Sequence, residues 1–418
     1  GGAIWMQVAS GSKVTIEDCT MTKCYSVRNG GCLFIQILST YTHSEVELIN
    51  IQMTNCSCQW HGGGIYAETN DNSTLSLIGD FLFDNCSSIN QDYCGGGIYV
   101  NQKQPMHSIQ MQGNFTFRNC TSRSYGGGMF MQGLNQTPVA INCTFLFWNC
   151  TSGHGGGLRL IYQGTGQATH FAGNFTFERC SANKGYGGGI FFQSTPSCTL
   201  EIDNFTFKDC SSNQGGGIFF SLMDNAKMII NGGQFINCSA LREGGGIYAQ
   251  LLHISEFVLN NSCQFNKCSC SGCGGAIYIN INYTLSIKFK INDALIRECE
   301  AKTNTQYTYF QSGFGGGIFL TGSGDYDASS ENIDFSGLKI FGNTADKSGQ
   351  SIYVVMTKVK YWCEYGVAGQ YVKGNFSDRF SDFEDIEGIP ADKTDFDSLS
   401  YESIQEQQSA LYYYWEKI

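Results

Sequence analysis

The stretch Phe207-Lys-Asp-Cys-Ser-Ser-Asn-Gln-Gly-Gly-Gly-Ile-Phe-Phe220 decides the fold, because both of its halves recur along the chain. A Gly-Gly-small-apolar signature begins at Gly1, Gly30, Gly62, Gly95, Gly126, Gly155, Gly187, Gly215, Gly244, Gly274 and Gly315, with a decayed copy at Gly349. Successive copies are 28 to 41 residues apart, and the longest step precedes Gly315, where Thr303 to Ser312 reads as an external loop. Ahead of the glycines stands an apolar residue, two variable ones and Cys, as in Phe83-Asp-Asn-Cys86, Phe117-Arg-Asn-Cys120 and Phe147-Trp-Asn-Cys150. Weaker forms end at Cys24, Cys56 and Cys299, and Asn343 takes the place of Cys in the last copy.

Between these signatures lie short alternating runs such as Asn114-Phe-Thr-Phe117, separated by Gly, Ser and Asn turns. Period-2 runs in a unit of about 30 residues describe one coil of a parallel β-solenoid. Propeller blades need longer units, and leucine-rich horseshoes need a Leu and Asn spacing that is not here. The expected architecture is all-β: a single-stranded parallel β-helix of about 12 coils over residues 1–356. An acidic, aromatic-rich docking or capping segment follows at 357–418.

Composition narrows the function classes. The chain has 418 residues, Lys+Arg 25 and Asp+Glu 36, and a net charge of −11. Such an acidic chain makes a poor partner for a phosphate backbone, so no nucleic acid is expected. With 42% hydrophobic and 15% charged residues it is not disordered, despite 52 glycines, and four prolines exclude collagen. No run of about 18 apolar residues exists, so no transmembrane helix is expected. Twenty cysteines and many N-glycosylation triplets point to an oxidising secretory compartment, and so to the extracellular space or cell surface. The chain opens at Gly1 without Met or an apolar signal segment, and is read as a processed form or a piece of something longer.

Gly-Gly-Ala-Ile at 1–4 and 274–277, with the Phe-x-x-Asn-like motif upstream, resembles the polymorphic outer-membrane protein repeat. Similar repeats occur in large surface proteins of protists, including ciliates. The resemblance covers roughly residues 1–356 and implies a right-handed β-helix of the pectin-lyase type. The chain departs from it by placing Cys where the family usually has Asn; Asn343-Thr-Ala345 alone keeps the usual form. Because the repeat marks a scaffold, it says little about activity.

Stacked coils place equivalent residues in columns about 4.8 Å apart. The Phe of Phe-x-x-Cys and the Ile after the glycines are expected to face inward. Alternation then points the next residue outward: Trp5, Phe34, Tyr66, Tyr99, Phe130, Phe191, Phe219, Tyr248, Tyr278, Phe319 and Tyr353, with Arg159 the polar break. This ladder exceeds the apolar patch a monomer normally exposes, so either a partner chain or sugar rings stack on it or long loops cover it. A second column holds Cys24, Cys56, Cys86, Cys120, Cys150, Cys180, Cys210, Cys238, Cys268 and Cys299. Its spacing lies inside the disulfide window, so neighbouring coils are candidates for stapling; the alternative is a ladder of buried thiols. Ten cysteines, Cys32 among them, lie off the column and cannot be paired from sequence. Cys263, Cys268, Cys270 and Cys273 are dense but lack zinc-knuckle spacing, and no metal is expected.

Asn-x-Ser/Thr triplets occur at Asn55, Asn72, Asn85, Asn114, Asn119, Asn135, Asn142, Asn149, Asn174, Asn204, Asn237, Asn260, Asn282 and Asn375. Fourteen among thirty asparagines is well above what the Ser and Thr content produces, so covalent N-linked glycans are expected, and no other cofactor. Asn114, Asn174 and Asn204 sit in Asn-Phe-Thr-Phe runs that aim the Asn outward. Asn85, Asn119, Asn149 and Asn237 beside the Cys corner equally suit a plain turn role.

An enzymatic reading fares worse. Gly153-His154-Gly155 with Arg159 nearby is similar to part of a pectin-hydrolase site, but no Asp-Asp pair exists in the chain, and glycoside hydrolysis needs two carboxylates. Asp325 and Asp327 read as solvated turn residues. No catalytic residue is expected.

Residues 376–418 carry 11 acidic and 3 basic residues, 3 − 11 = −8 of the total charge, together with many aromatics. They read as a docking segment with a short helix within Asp397 to Trp415. Gly1 opens directly on a corner, and an unpaired coil edge invites another chain. The expected function is an extracellular N-glycosylated structural protein whose rods assemble head to tail into a fibre or coat, with itself as partner. The alternative is a cell-surface adhesin or glycan-binding stalk within a longer membrane-anchored chain.

Overall fold

A computed structural model describes residues 1–418 except 10, 39–41, 71, 104–107, 134–139, 163–167, 307–309, 367–377 and 416–418. It is an all-β parallel solenoid of about 12 turns. One coil shows the plan: a strand after the glycines (Ile65–Thr69), a long strand (Ser73–Asp84) and a two-residue strand after the cysteine (Ser87–Ser88). Each pairs in parallel with its copy in the next coil, Ile65 with Ile98, Phe83 with Phe117 and Ser87 with Thr121. The chain forms two compact units, Gly1–Ser212 and Asn213–Ile418.

In the first unit the inward residues of the long strands build two rows of stacked rings. Phe81, Phe115, Phe145, Phe175 and Phe205 stack at 4.3 to 4.9 Å between centroids. Phe83, Phe117, Phe147, Phe177 and Phe207 do so at 4.7 to 5.0 Å. All ten are buried, and each such pair adds about 0.5–1.5 kcal/mol beyond its area burial. In the second unit the row continues from the stacked pair Phe235–Phe265 into Ile296 and Ile340.

The glycine corner is fixed by sterics. The first glycine takes a left-handed φ, +63° at Gly126, and a Cβ on the second would meet backbone, Gly127 O at 2.1 Å and Thr121 O at 2.5 Å for Gly96. A Cβ on the third would meet the inward ring of the following coil, Phe117 at 2.7 Å for Gly97 and Phe147 at 2.5 Å for Gly128. At three corners where that inward residue is slimmer the third glycine is replaced, although Gly317 is kept opposite Ile340. Ala3 faces Met21, Cys32 faces Met53 and Ala276 faces Ile296.

The opposite corner has its own signature. The residue before each column cysteine is left-handed whatever its chemistry: Lys23, Asn55, Asn85, Asn119, Asn149, Arg179, Asp209, Asn237, Lys267 and Glu298 lie at φ +50° to +57°.

In the second unit the coils give way after Ile352–Val355 to the tail. Ile386–Ile389 adds one more parallel rung on that strand, and Ser409–Ala410 pairs antiparallel outside it. Short helices span Val359–Tyr365, Lys393–Ser398 and Tyr401–Gln407; Asp392 caps the second and Ser400 the third. Trp362, Phe396, Ile404 and Leu411 are buried, and Phe396 lies 5.3 to 5.8 Å from Phe314, Phe319 and Tyr353. The tail therefore docks on its own last coils, and the helix Tyr401–Gln407 falls within the stretch Asp397 to Trp415 where a short helix is expected.

Candidate functional site

Four sets of side chains come out of the coil geometry, and their surroundings decide what each can do chemically.

The cysteine column is continuous within each unit, and all twenty cysteines are free thiols. Equivalent residues on adjacent in-register strands lie side by side, and several column sulfurs also reach a carbonyl of the preceding coil. Cys120 Sγ donates to Phe83 O at 3.4 Å, Cys150 to Phe117 O at 3.5 Å and Cys180 to Phe147 O at 3.4 Å. Neighbouring thiols interact as well, Cys120 with Cys150 and Cys150 with Cys180. Burial pushes the Cys150 and Cys268 thiols well up, which keeps them protonated and inert. Asn343 does the same work with an amide: its Oδ1 accepts Cys299 N–H at 2.9 Å and its Nδ2 donates to Ile296 O at 3.2 Å.

The aromatic ladder is present but it is not an exposed face, which corrects its reading as an interface. Trp5 is 58% exposed and Phe34 half-buried; Tyr66, Tyr99, Phe130, Phe191, Phe219, Tyr248, Tyr278, Phe319 and Tyr353 are buried. Neighbours stack at 4.9 to 5.2 Å from Phe34 to Phe130, and at 4.8 to 5.9 Å from Phe219 to Tyr353. Arg159 continues the stack instead of breaking it, its guanidinium 3.6 Å from the Phe191 ring centroid and 5.4 Å from that of Tyr125. Its Nη2 donates to Gln193 Oε1 at 2.8 Å, and burial brings its pKa down to about 10.

The cover comes from the residue just before the glycines. His61 lies 4.3 Å from Tyr99, and Cys94 packs in one cluster with Tyr66, Tyr99 and Phe130. Tyr125, His154 and Tyr186 continue the cover over Arg159 and Phe191, and Phe314 lies 4.8 Å from Tyr353. His154 is therefore a packing residue: its Nδ1 accepts Tyr186 N–H at 3.2 Å, and burial, with Arg159 nearby, lowers its pKa. His61 accepts Cys94 N–H in the same way, and burial brings it down to about 4.

The glycosylation triplets face solvent. Of the eleven asparagines within the described side chains, Asn55, Asn85, Asn114, Asn149, Asn174, Asn204 and Asn237 are exposed. Asn72, Asn119, Asn260 and Asn282 are half-buried. Asn135, the side chain of Asn142 and Asn375 lie outside the described residues. At the cysteine corner the amides form a ladder, Asn85 Nδ2 to Asn55 Oδ1 at 2.6 Å and Asn149 Nδ2 to Asn119 Oδ1 at 2.8 Å. That ladder uses the same nitrogen a glycan would occupy.

The acidic candidates are engaged locally. Asp325 accepts from Thr357 Oγ1 at 2.8 Å and pairs with Lys358 at 3.0 Å, while Asp327 caps Ser329. These hydrogen bonds hold both carboxyls below their usual range. An open groove of about 570 Å³ along the short strands is lined by Ser87, Thr121, Arg123, Thr151 and Asn183, with Asp92 its single carboxylate. Cys263, Cys268, Cys270 and Cys273 do not gather their sulfurs. Among the described residues, the ligand-type clusters are Cys24–Cys32–Cys56 and the surface set His170–Glu201–Asp203. Of the described helices none is long and apolar enough to cross a membrane. Compared with known proteins, the chain matches no family model, no curated protein and no solved structure.

Proposed function

We propose that this chain is an N-glycosylated, non-catalytic structural protein of the extracellular space: a β-helical stalk or coat element whose sides carry sugars. The observation that carries the reading is the contrast between its polar groups. Those able to do chemistry (His154, Arg159, the cysteine column) are spent on packing and backbone hydrogen bonds. The side chains left to solvent include sequon asparagines such as Asn174 and Asn204. The groove beside Asp92 holds one carboxylate where glycoside hydrolysis requires two.

The tail favours the stalk over the head-to-tail fibre. Ile386–Ile389 pairs with the last coil strand, so an incoming copy would find that rung occupied. The kinship to surface proteins with glycine-corner repeats is part of the same proposal.

Electron microscopy of the native material, with its intact mass, tests this reading. Single slender particles or a coat in which the chain runs laterally are the expected result. Filaments with one chain per axial repeat would restore the fibre. Turnover of a uronic-acid polymer that is lost in His154→Ala would overturn the non-catalytic reading.

A further inference from the structure

Cys32 is an exception in the glycine corner. It occupies the third position, whose Cβ points into the core, and it does so where the following coil presents Met53 in place of Phe. Its sulfur enters the cysteine column from the opposite corner: the Sγ atoms of Cys24, Cys32 and Cys56 all lie within 4.8 Å of one another. Cys24 and Cys56 occupy matching positions on adjacent strands, so their side chains run side by side. Cys32 approaches them head-on. The glycine corner stands over the cysteine corner of the next coil, and a Cβ at Gly31 would lie 2.8 Å from Ser57 N. That places Cys32 at the level of Cys56. Both are 0% exposed, whereas Cys24 is half-buried.

We propose that Cys32 and Cys56 close a disulfide that ties the two corners of the coil together, with Cys24 remaining a thiol. The Cys32 and Cys56 sulfurs come from two different corners of the coil and lie within 4.8 Å of each other, close enough to join with a small side-chain movement. The oxidant is a disulfide of the thiol-exchange class, either a low-molecular-weight disulfide or a dithiol oxidoreductase. While the chain folds and before the corner closes over it, the Cys32 thiolate attacks one sulfur of it and displaces the first carrier thiolate, giving a mixed disulfide. The Cys56 thiolate then attacks the Cys32 sulfur and displaces the second. Two electrons pass to the carrier, and the two protons lost by the cysteines end on its two thiols. The inference rests on the corner geometry and does not depend on the proposed extracellular role.

The test refolds fully reduced protein in the presence of oxidised glutathione, blocks remaining thiols with N-ethylmaleimide in denaturant and maps the peptides. The expected result is a Cys32–Cys56 cross-link as the first to form, with Cys24, Cys86 and Cys150 alkylated. Cys32→Ala keeps the side chain found at Ala3 and Ala276, and a matching far-UV spectrum confirms that it folds. It is expected to lose the cross-link entirely and leave Cys56 alkylated. Full alkylation of Cys32, a Cys32–Cys24 link, pairwise links within the column, or a retained metal ion that blocks oxidation would each overturn the proposal. The presence or absence of glycans in the chain from its native source reports separately on the compartment.

Discussion

The two corners of the coil solve the same problem differently. Both must turn the chain sharply between strands, and both place a residue at positive φ in every coil. At the glycine corner the surrounding backbone leaves no room for a Cβ, so the sequence repeats almost letter for letter. At the cysteine corner the left-handed residue faces outward, and Lys, Asn, Arg, Asp and Glu all occupy it. What repeats there is the residue after it, held by an inward hydrogen bond. Steric exclusion conserves a residue type along the solenoid; a hydrogen-bond ladder conserves only a capability, which is why Asn343 can stand in for Cys.

The largest predicted effect breaks the glycine corner. Gly96→Ala puts a Cβ 2.1 Å from Gly127 O, and the chain must shift a coil to accommodate it. A loss of about 3 kcal/mol or more is expected from the denaturant midpoint, by the overpacking and backbone-strain mechanisms.

Next comes the ladder. Cys150→Ala removes a buried hydrogen bond and a small volume, for a predicted loss of about 1–2 kcal/mol. Cys150→Asn, copying Asn343, is expected to recover most of it. If the Asn variant were less stable than the Ala variant, the equivalence of the two ladders would fail.

A pH effect follows from the cover of the aromatic ladder. Burial holds the folded-state pKa of His61 near 4, below its unfolded value, so its neutral form stabilises the fold above the unfolded pKa. That contribution is lost as the pH falls from about 6.5 toward 4, since the unfolded chain binds the proton first. His61→Gln is expected to weaken the acid dependence between pH 7 and 5 by about 1 kcal/mol. Parallel pH profiles for the variant and the parent would contradict it.

The smallest effect lies at the cysteine corner again. Gly342 is left-handed at φ +64° with nothing within 4 Å of its missing Cβ. Gly342→Asn is therefore expected to stay within about 0.5 kcal/mol of the parent, as a surface change at a position Asn tolerates. A large loss there would show that the two corners are not sterically different after all.

The repeat made the solenoid legible, because a glycine triplet and a Phe-x-x-Cys recurring together admit one coil geometry. The inward Phe rows followed from alternation. The covered ladder did not: His61, Cys94, Tyr125, His154 and Phe314 share a position but no single residue type, and their packing over the ladder appears only once coils are stacked. The left-handed corner was hidden for the same reason, since Lys23, Arg179 and Glu298 share no turn signal. One signal was readable in retrospect. The third glycine gives way to Ala3, Cys32 or Ala276 where the next coil's inward residue is Met21, Met53 or Ile296. The tail's aromatic density announced docking, yet its rung on Ile352–Val355 depends on a pairing across a 30-residue gap that no local pattern encodes.

The most direct test of the glycosylated-scaffold account is site-by-site mapping of glycan occupancy on the chain from its native source. Asn174 and Asn204 are exposed and stand outside the corner ladder, whereas Asn114, also exposed, donates its Nδ2 to Asp80 Oδ1 at 2.9 Å. The account predicts sugars on Asn174 and Asn204, at higher occupancy than at Asn85, Asn114 and Asn149, whose amide nitrogens hydrogen-bond to the previous coil. A chain bare at Asn174 and Asn204 would contradict it.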